Sequence, residues 1–199
     1  MKREKDSRQI VPSALGHSSR RLQDKVFGIG LGKTGTTSLA AAMSRLGYRV
    51  KHGPRNVDEI EANDFSNDLG VAWRYRFLHH AYPRAKFILT VRDIESWLRS
   101  SEVHARAAGL RVPLRRLENR YMCFGRIDFD RDVFRNRYED HNSAVIDYFS
   151  SFPGRLLVLD ICAGDGWEKL CPFLRAAVPT IPFPVENRTP RESLSSGVV

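Results

Sequence analysis

The residues best suited to chemistry lie in one short run between an apolar stretch and a helix pattern. Residues 25–37 read KVFGIGLGKTGTT and lead directly into SLAAAM. Glycines allow positive φ and close approach of the backbone to a ligand, and a helix start presents free N–H groups at the positive end of its dipole. Lys33 adds a cation, and Thr36 and Thr37 add hydroxyl donors. This strand–loop–helix pattern predicts a site for a phosphate or a sulfate.

Two common phosphate loops fit this run poorly. Residues 30–35 match the G-x-G-x-x-G pattern of dinucleotide sites, but those sites need an acidic residue about 20 residues later. The corresponding segment, residues 47–52, ends in two basic side chains, which argues against NAD. A Walker A loop reads G-x-x-x-x-G-K-[ST], and residues 28–34 are one residue short of that spacing.

A third pattern fits better. Residues 32–37, GKTGTT, resemble the 5′-phosphosulfate loop of the P-loop sulfotransferases, usually P-K-[ST]-G-T-[TS], with Gly32 in place of the common proline. Other segments resemble a small sulfotransferase-domain branch of that family, namely residues 82–93, 138–142, 167–171 and 183–188. The resemblance covers about residues 25–188. It implies the donor 3′-phosphoadenosine 5′-phosphosulfate and no requirement for a metal.

The resemblance also implies roles for individual residues. The phosphosulfate would be held by the loop, and Lys33 would neutralise the leaving 5′-phosphate; the loop residues are Gly32, Lys33, Thr34, Gly35, Thr36 and Thr37. Arg92, with Ser100 two helical turns further on, would hold the 3′-phosphate, because a guanidinium fork matches phosphate geometry. Arg188 would reach the same phosphate from the C-terminal loop. The alternative is that Arg92 pairs with Asp93 or another carboxylate and that Ser100 faces solvent.

A hydroxyl acceptor needs a general base near its oxygen. The family has an acid or a histidine near the second strand or in the segment after it. Asp68 is the first candidate in this sequence and His52 is the reserve. Asp68 departs from the branch pattern because Leu69 and Gly70 stand where a proline usually follows closely. Asp68 is also a good helix N-cap, and the two roles are compatible.

Strands and amphipathic helices alternate along the chain, which predicts a single α/β domain with a mainly parallel sheet flanked by helices. Strands are predicted at residues 26–31, 48–52, 86–91 and 155–161. Helices are predicted directly after the loop, at residues 68–81, from residue 92, at residues 133–151 and from residue 167, where Pro172 should break or kink the helix. Residues 106–137 show only weak periodicity, and we expect them to line the acceptor site.

Composition sets outer limits on these predictions. The chain has 199 residues, and its 32 Lys and Arg against 23 Asp and Glu give a net charge of +9, which suits anionic ligands. The three cysteines form no C-x-x-C pair and no zinc spacing, as expected of a cytoplasmic protein. No stretch has the length and apolarity of a transmembrane segment. Residues 1–24 are predicted to be a flexible basic segment, residues 25–188 the domain, and residues 189–199 a flexible tail.

The sequence therefore predicts a sulfotransferase acting on a hydroxyl or amine of a small-molecule or glycan acceptor. The main alternative is a kinase that uses ATP and Mg²⁺, because residues 155–160, RLLVLD, look like a Walker B strand. A non-enzymatic basic protein with a nucleotide-binding fold is a further alternative. No recognised nucleic-acid motif is present, so we expect no specific nucleic acid as a partner. The sequence leaves open whether the chain forms a homo-oligomer.

Overall fold

The computed structural model describes residues 25–108 and 112–186. Five parallel strands form one sheet in the order β2-β3-β1-β4-β5. The strands are β1 (Val26–Gly28), β2 (Val50–His52), β3 (Phe65–Asn67), β4 (Lys86–Thr90) and β5 (Leu156–Leu159). Because β1 lies at the centre, the loop that follows it opens at the middle of the carboxyl edge of the sheet, where ligands of open α/β sheets bind.

Helices flank the sheet and confirm the predicted α/β class. They are α1 (Thr36–Arg45), α2 (Val57–Glu61), α3 (Leu69–Ala72), α4 (Tyr75–Ala81), α5 (Ile94–Ala108), α6 (Leu114–Phe124), α7 (Arg131–Ser150) and α8 (Trp167–Leu174). A short 3₁₀ turn, Ile161–Ala163, follows β5. The helix predicted directly after the loop is present, and Gly47 ends it with a φ of 85°.

Both faces of the sheet are buried, as parallel strands require. Side chains alternate along β1, so Val26 packs against α1 and α8 on one face. Phe27 packs against α4 and α7 on the other face. A third cluster lies beyond the carboxyl edge, where Trp97 of α5 and Tyr138 of α7 stack with ring centroids 4.4 Å apart. This third cluster includes Leu31, so it packs directly against the loop after β1.

Two predicted features differ from the structure, and a third, the break predicted at Pro172, agrees with the early end of its helix. The helix predicted at residues 68–81 is two short helices, α3 and α4, and β3 lies directly before them. The stretch with weak periodicity contains α6. Pro172 lies inside α8, which ends two residues later because Arg175 takes a left-handed φ of 57°. The segments predicted to be flexible, residues 1–24 and 189–199, lie outside the described residues.

The glycine at position 30 lets β1 and β4 lie against each other. A Cβ at Gly30 would overlap the Thr90 hydroxyl and lie 2.5 Å from the Thr90 carbonyl oxygen. At Gly32, a Cβ would lie 3.8 Å from the nearest atom, a carboxylate oxygen of Asp68, which is ordinary contact. Two glycines of one loop therefore have different roles, and only Gly30 is required for strand packing.

This difference gives a matched pair of variants. We expect Gly30→Ala to lower the free energy of unfolding by about 3 kcal/mol, because backbone must move to admit the methyl group. Gly32→Ala should change it by less than about 1 kcal/mol. Urea denaturation of both variants and the parent measures the two effects. Equal stability of Gly30→Ala and the parent would contradict the close packing of β1 on β4.

Candidate active site

The loop after β1 is held by protein donors that bind its carbonyl groups. The Thr34 hydroxyl donates to the Leu31 carbonyl at 2.6 Å, and the Trp97 indole donates to the Gly32 carbonyl at 2.8 Å. Arg92 donates from Nη1 to the Lys33 carbonyl at 3.2 Å. Three successive carbonyls of the loop are therefore bound by donors of the protein, which holds the loop in one conformation.

The N–H groups of the same loop remain available. Within the described residues, the backbone N–H groups of Lys33, Gly35 and Thr36 have no hydrogen-bond acceptor. Gly35 has a φ of 92° and directly precedes α1, so the positive end of that helix faces the loop. The arrangement can therefore bind a phosphate or a sulfate through backbone donors.

The three threonines of the loop have different surroundings. Thr34 is fully buried, and its hydroxyl also hydrogen-bonds with the Thr90 hydroxyl at 2.6 Å. Its side chain therefore links the loop to β4. Thr36 is the first residue of α1, and its hydroxyl makes no hydrogen bond within the described residues. Thr37, next to it, is half-buried.

Lys33 combines a strained backbone with an unpaired charge. Its φ of 75° lies in the left-handed region, which is uncommon for a residue other than glycine. Its ammonium forms no ion pair within the described residues. Burial lowers the pKa of Lys33, the positive charge of Arg92 lowers it further, and the negative charge of Asp68 opposes both effects. Lys33, Arg92 and Asp68 therefore share one electrostatic environment.

Arg92 is held on both its backbone and its side chain. The Tyr138 hydroxyl accepts from the Arg92 N–H at 2.8 Å and donates to the Arg92 carbonyl at 2.7 Å. The guanidinium donates to the Ser96 hydroxyl from Nε at 2.9 Å and from Nη2 at 2.6 Å. Asp93 instead accepts from the Ser96 N–H at 2.9 Å. The alternative that Arg92 pairs with Asp93 is therefore wrong, and no carboxylate of the described residues forms an ion pair with Arg92.

The structure does not join Arg92 to Ser100. Ser100 is buried on α5, only 4% exposed, and the hydroxyl that Arg92 binds is that of Ser96, one turn nearer. The alternative that Ser100 faces solvent is also wrong. Ser96 was missed from the sequence, although its position one helical turn after Arg92 is the signal that could have identified it. The remaining predicted phosphate ligand, Arg188, lies outside the described residues.

Asp68 lies between the loop and the turn after β2. Its Oδ1 is 3.8 Å from the point where a Cβ of Gly32 would be, and its Oδ2 is 3.3 Å from the corresponding point of Gly53. It occupies the N-cap position of α3, but its side chain makes no capping hydrogen bond. Within the described residues the carboxylate forms no hydrogen bond and no ion pair. The carboxylate is therefore available to a ligand bound at the loop.

The backbone of Asp68 is the most strained in the site. Its φ of 93° and ψ of 175° lie in a region that is essentially restricted to glycine and costs about 1–3 kcal/mol for other residues. Such strain persists where the surrounding structure imposes it, and it is concentrated at functional sites. In this backbone conformation the Asp68 side chain lies at the edge of the loop after β1. This position favours a functional role over simple helix capping.

His52 lies at the exposed end of β2 beside Asn67 of β3. Asn67, which is fully buried, donates from Nδ2 to the Thr36 carbonyl at 2.6 Å, so its Oδ1 faces His52. His52 Nδ1 lies 2.9 Å from this oxygen and donates to it. The lone pair of the ring is therefore on Nε2, which could accept a proton. Asn67 was missed from the sequence because an asparagine within a strand carries no signal of its own.

A family model described as a sulfotransferase domain matches residues 25–67 and 60–191. The chain belongs to the sulfotransferase family. The matched residues include the loop after β1, Arg92 and both candidate bases. A search of curated proteins finds no match.

The geometry also bears on the kinase alternative for this sulfotransferase domain. Asp160, the residue that looked like a Walker B aspartate, accepts from the Ala163 N–H at 2.9 Å and caps the 3₁₀ turn after β5. Its own N–H donates to Asp165 at 2.7 Å. Capping of this turn is therefore a structural role that explains an aspartate at position 160.

Trp167 packs in the core, 6% exposed, and donates to the Ile181 carbonyl at 2.8 Å.

Two features are absent from the described residues. No helix there has the length and apolarity to cross a membrane. No group of three or more His, Cys, Asp and Glu side chains in that part of the chain is arranged to hold a metal ion.

Proposed function

We propose that this sulfotransferase domain transfers a sulfuryl group from 3′-phosphoadenosine 5′-phosphosulfate to a hydroxyl or amine of a small-molecule or glycan acceptor. The other product is adenosine 3′,5′-bisphosphate. The observation that carries the proposal is the pair of cations at the loop after β1. Among the residues that the structure describes, neither Lys33 nor Arg92 forms an ion pair with a carboxylate there, and the backbone N–H groups beside them have no acceptor. A ligand with two separate anionic groups fits this arrangement.

The chemistry follows from the positions of these groups. The acceptor oxygen attacks sulfur, the bond from sulfur to the bridging oxygen breaks, and the 5′-phosphate leaves with the electron pair. Lys33 and the loop N–H groups stabilise the negative charge that develops on the leaving oxygen, as in phosphoryl transfer. Arg92 holds the 3′-phosphate, and Asp68 takes the proton of the acceptor hydroxyl, with His52 as the alternative base. Positioning and electrostatics supply the rate enhancement.

The test of the proposal is transfer itself. The protein is incubated with ³⁵S-labelled donor and a panel of alcohols, phenols, amines and oligosaccharides, and labelled products are separated chromatographically. We expect label on at least one acceptor and release of adenosine 3′,5′-bisphosphate in equal amount. A chain that binds the donor but transfers label to no acceptor and releases no bisphosphate would contradict the proposed activity.

Arg92→Ala tests the assignment of the 3′-phosphate. We expect the parent to bind adenosine 3′,5′-bisphosphate more tightly than adenosine 5′-monophosphate, and the variant to lose about 2–4 kcal/mol of binding to the bisphosphate alone. Calorimetric titration of both nucleotides measures this difference. Arg99→Ala, an exposed position on α5, is the matched control and should keep the parent preference. An unchanged preference in Arg92→Ala would mean that Arg92 serves only to hold the loop.

A further inference from the structure

Asn67 is a buried amide that links two parts of the candidate site. It is the last residue of β3, and its side chain is fully buried. Its Nδ2 donates to the carbonyl of Thr36, the first residue of α1, at 2.6 Å, and its Oδ1 lies 2.9 Å from His52 Nδ1. One side chain therefore connects the loop at which the donor is expected with a candidate base at the end of β2.

The sheet leaves room for this side chain by placing a glycine beside it. Gly28 of β1 and His52 of β2 are the cross-strand neighbours of Asn67 on its two sides. A Cβ at Gly28 would lie 2.6 Å from Asn67 Cβ, which is closer than two carbon atoms without a bond between them can approach. A side chain at position 28 would therefore displace the amide from its place between Thr36 and His52.

The two partners of Asn67 fix the orientation of its amide and the tautomer of His52. The Thr36 carbonyl can only accept, so the amide nitrogen faces Thr36 and the amide oxygen faces His52. Because the amide oxygen can only accept, His52 Nδ1 must carry a hydrogen. A neutral imidazole has one N–H, so Nε2 then has a lone pair. The tautomer of His52 is therefore determined by the amide that Thr36 orients.

His52 and Asp68 lie at the same carboxyl edge of the sheet. The Gly53 N–H donates to the Asn67 carbonyl at 3.0 Å, so His52 and Gly53 run alongside Asn67 and Asp68. Asp68 Oδ2 is 3.3 Å from the point where a Cβ of Gly53 would be. His52 itself is exposed. The accessible ring is therefore one residue away from the backbone that the Asp68 carboxylate contacts, where the acceptor is expected.

We propose that Asn67 is a positioning residue for His52. It holds the neutral ring as the Nδ1–H tautomer, so that Nε2 accepts a hydrogen bond from an O–H or N–H group of the acceptor. Because the amide is anchored to Thr36, the ring is aligned with the loop that binds the donor, as a third group orients the base in other transfer sites. The proposal rests on the proposed sulfotransferase function, and it holds whether Asp68 or His52 takes the proton.

The tautomer can be measured without turnover. The ¹⁵N chemical shifts of the His52 ring, recorded at about pH 9 where an ordinary histidine is neutral, distinguish a nitrogen with a hydrogen from one without. We expect the parent to carry its hydrogen on Nδ1. Asn67→Asp keeps an oxygen next to His52 and should keep this tautomer, whereas Asn67→Leu removes the acceptor and should give a mixture of both tautomers. Asn63→Leu is the matched control, because the Asn63 amide likewise donates to a backbone carbonyl, that of Glu59 at 2.7 Å.

A double-mutant cycle tests the consequence for transfer. We expect Asn67→Leu and His52→Ala each to lower kcat/KM for the acceptor by at least about tenfold. In the His52→Ala background, Asn67→Leu should have little further effect, because the two changes remove the same arrangement. Asn63→Leu should leave kcat/KM within about twofold of the parent value.

Three results would overturn the proposal. The first is a hydrogen on Nε2 of His52 in the parent, which is decisive even if Asn67→Leu does not fold. The second is an unchanged kcat/KM in His52→Ala. The third is a loss caused by Asn67→Leu that is as large without His52 as with it. Absence of transfer to every acceptor is a separate result, because it contradicts the proposed function and leaves the measured tautomer unaffected.

Discussion

Lys33→Ala is expected to lower kcat by at least about 10³-fold, because it removes the cation beside the leaving phosphate and with it the stabilisation of developing charge. Binding of adenosine 3′,5′-bisphosphate should weaken by about 1.5–3 kcal/mol, the contribution of a hydrogen bond to a charged group. Rate measurements at saturating donor and calorimetric titration give the two values. The fold should be unaffected, since a loop lysine buries little apolar surface.

Lys169→Ala provides the matched control for this variant. Lys169 is an exposed lysine that pairs with Asp165 at 2.6 Å on the surface of α8. We expect its removal to leave both kcat and bisphosphate binding close to the parent values, because a surface ion pair contributes about 0–1 kcal/mol. Turnover of Lys33→Ala within a few fold of this control would show that Lys33 does not act on the leaving group.

Asp68→Asn is expected to lower kcat by about 10²–10⁴-fold while leaving donor binding intact, because asparagine keeps the shape of the side chain but cannot accept the acceptor proton. The free energy of unfolding should change little, since the Asp68 side chain makes no capping hydrogen bond that asparagine could lose. Steady-state rates with urea denaturation check both parts. Asp58→Asn, an exposed acid in the first turn of α2, is the control.

Asp68→Gly separates strain from chemistry at the same position. Glycine adopts a φ of 93° with a ψ of 175° without steric cost, so we expect this variant to be more stable than the parent by about 1–2 kcal/mol and nearly inactive. Such a result would mean that the fold is strained to hold a carboxylate at the loop. Near-normal kcat in Asp68→Asn would instead exclude Asp68 as the base and leave His52 as the remaining candidate.

The parts of the fold that could be predicted are those with strong local patterns. Leu39, Ala42 and Met43 recur at helical spacing and are fully buried in α1, as expected. Apolar residues in succession predicted β4, which is nearly all buried because an inner parallel strand is covered on both faces. In both cases the local pattern and the tertiary burial agree.

Strand β3 and helix α6 were not predicted, because the pattern of β3 is too short and polar and the pattern of α6 does not match its burial. β3 has only three residues, and two of them, Ser66 and Asn67, are polar yet fully buried. α6 carries apolar residues at helical spacing from Leu114 to Phe124, but Leu114 is 80% exposed and Asn119 is buried, so burial does not follow that stripe. Tertiary packing decides both elements, and no local propensity reports it.

The site residues that lie in one local run could be predicted from the sequence. The contacts between residues from different elements could not. The loop with Lys33 and its glycines could be identified from residue types and spacing. The partners of Arg92 could not be identified in this way, because Ser96 and Tyr138 take their positions from the packing of α5 and α7. The strained φ of Asp68 was not predictable either, since nothing in an aspartate before a leucine indicates a glycine-like backbone.

The central claim is that the loop after β1 binds the donor nucleotide, and calorimetric titration with adenosine 3′,5′-bisphosphate in the absence of Mg²⁺ tests it most directly. We predict saturable binding at one site, at least about tenfold tighter than binding of adenosine 5′-monophosphate. Addition of Mg²⁺ should change this affinity little. Absence of bisphosphate binding, or tight binding of ATP that appears only with Mg²⁺, would contradict the account and favour a kinase.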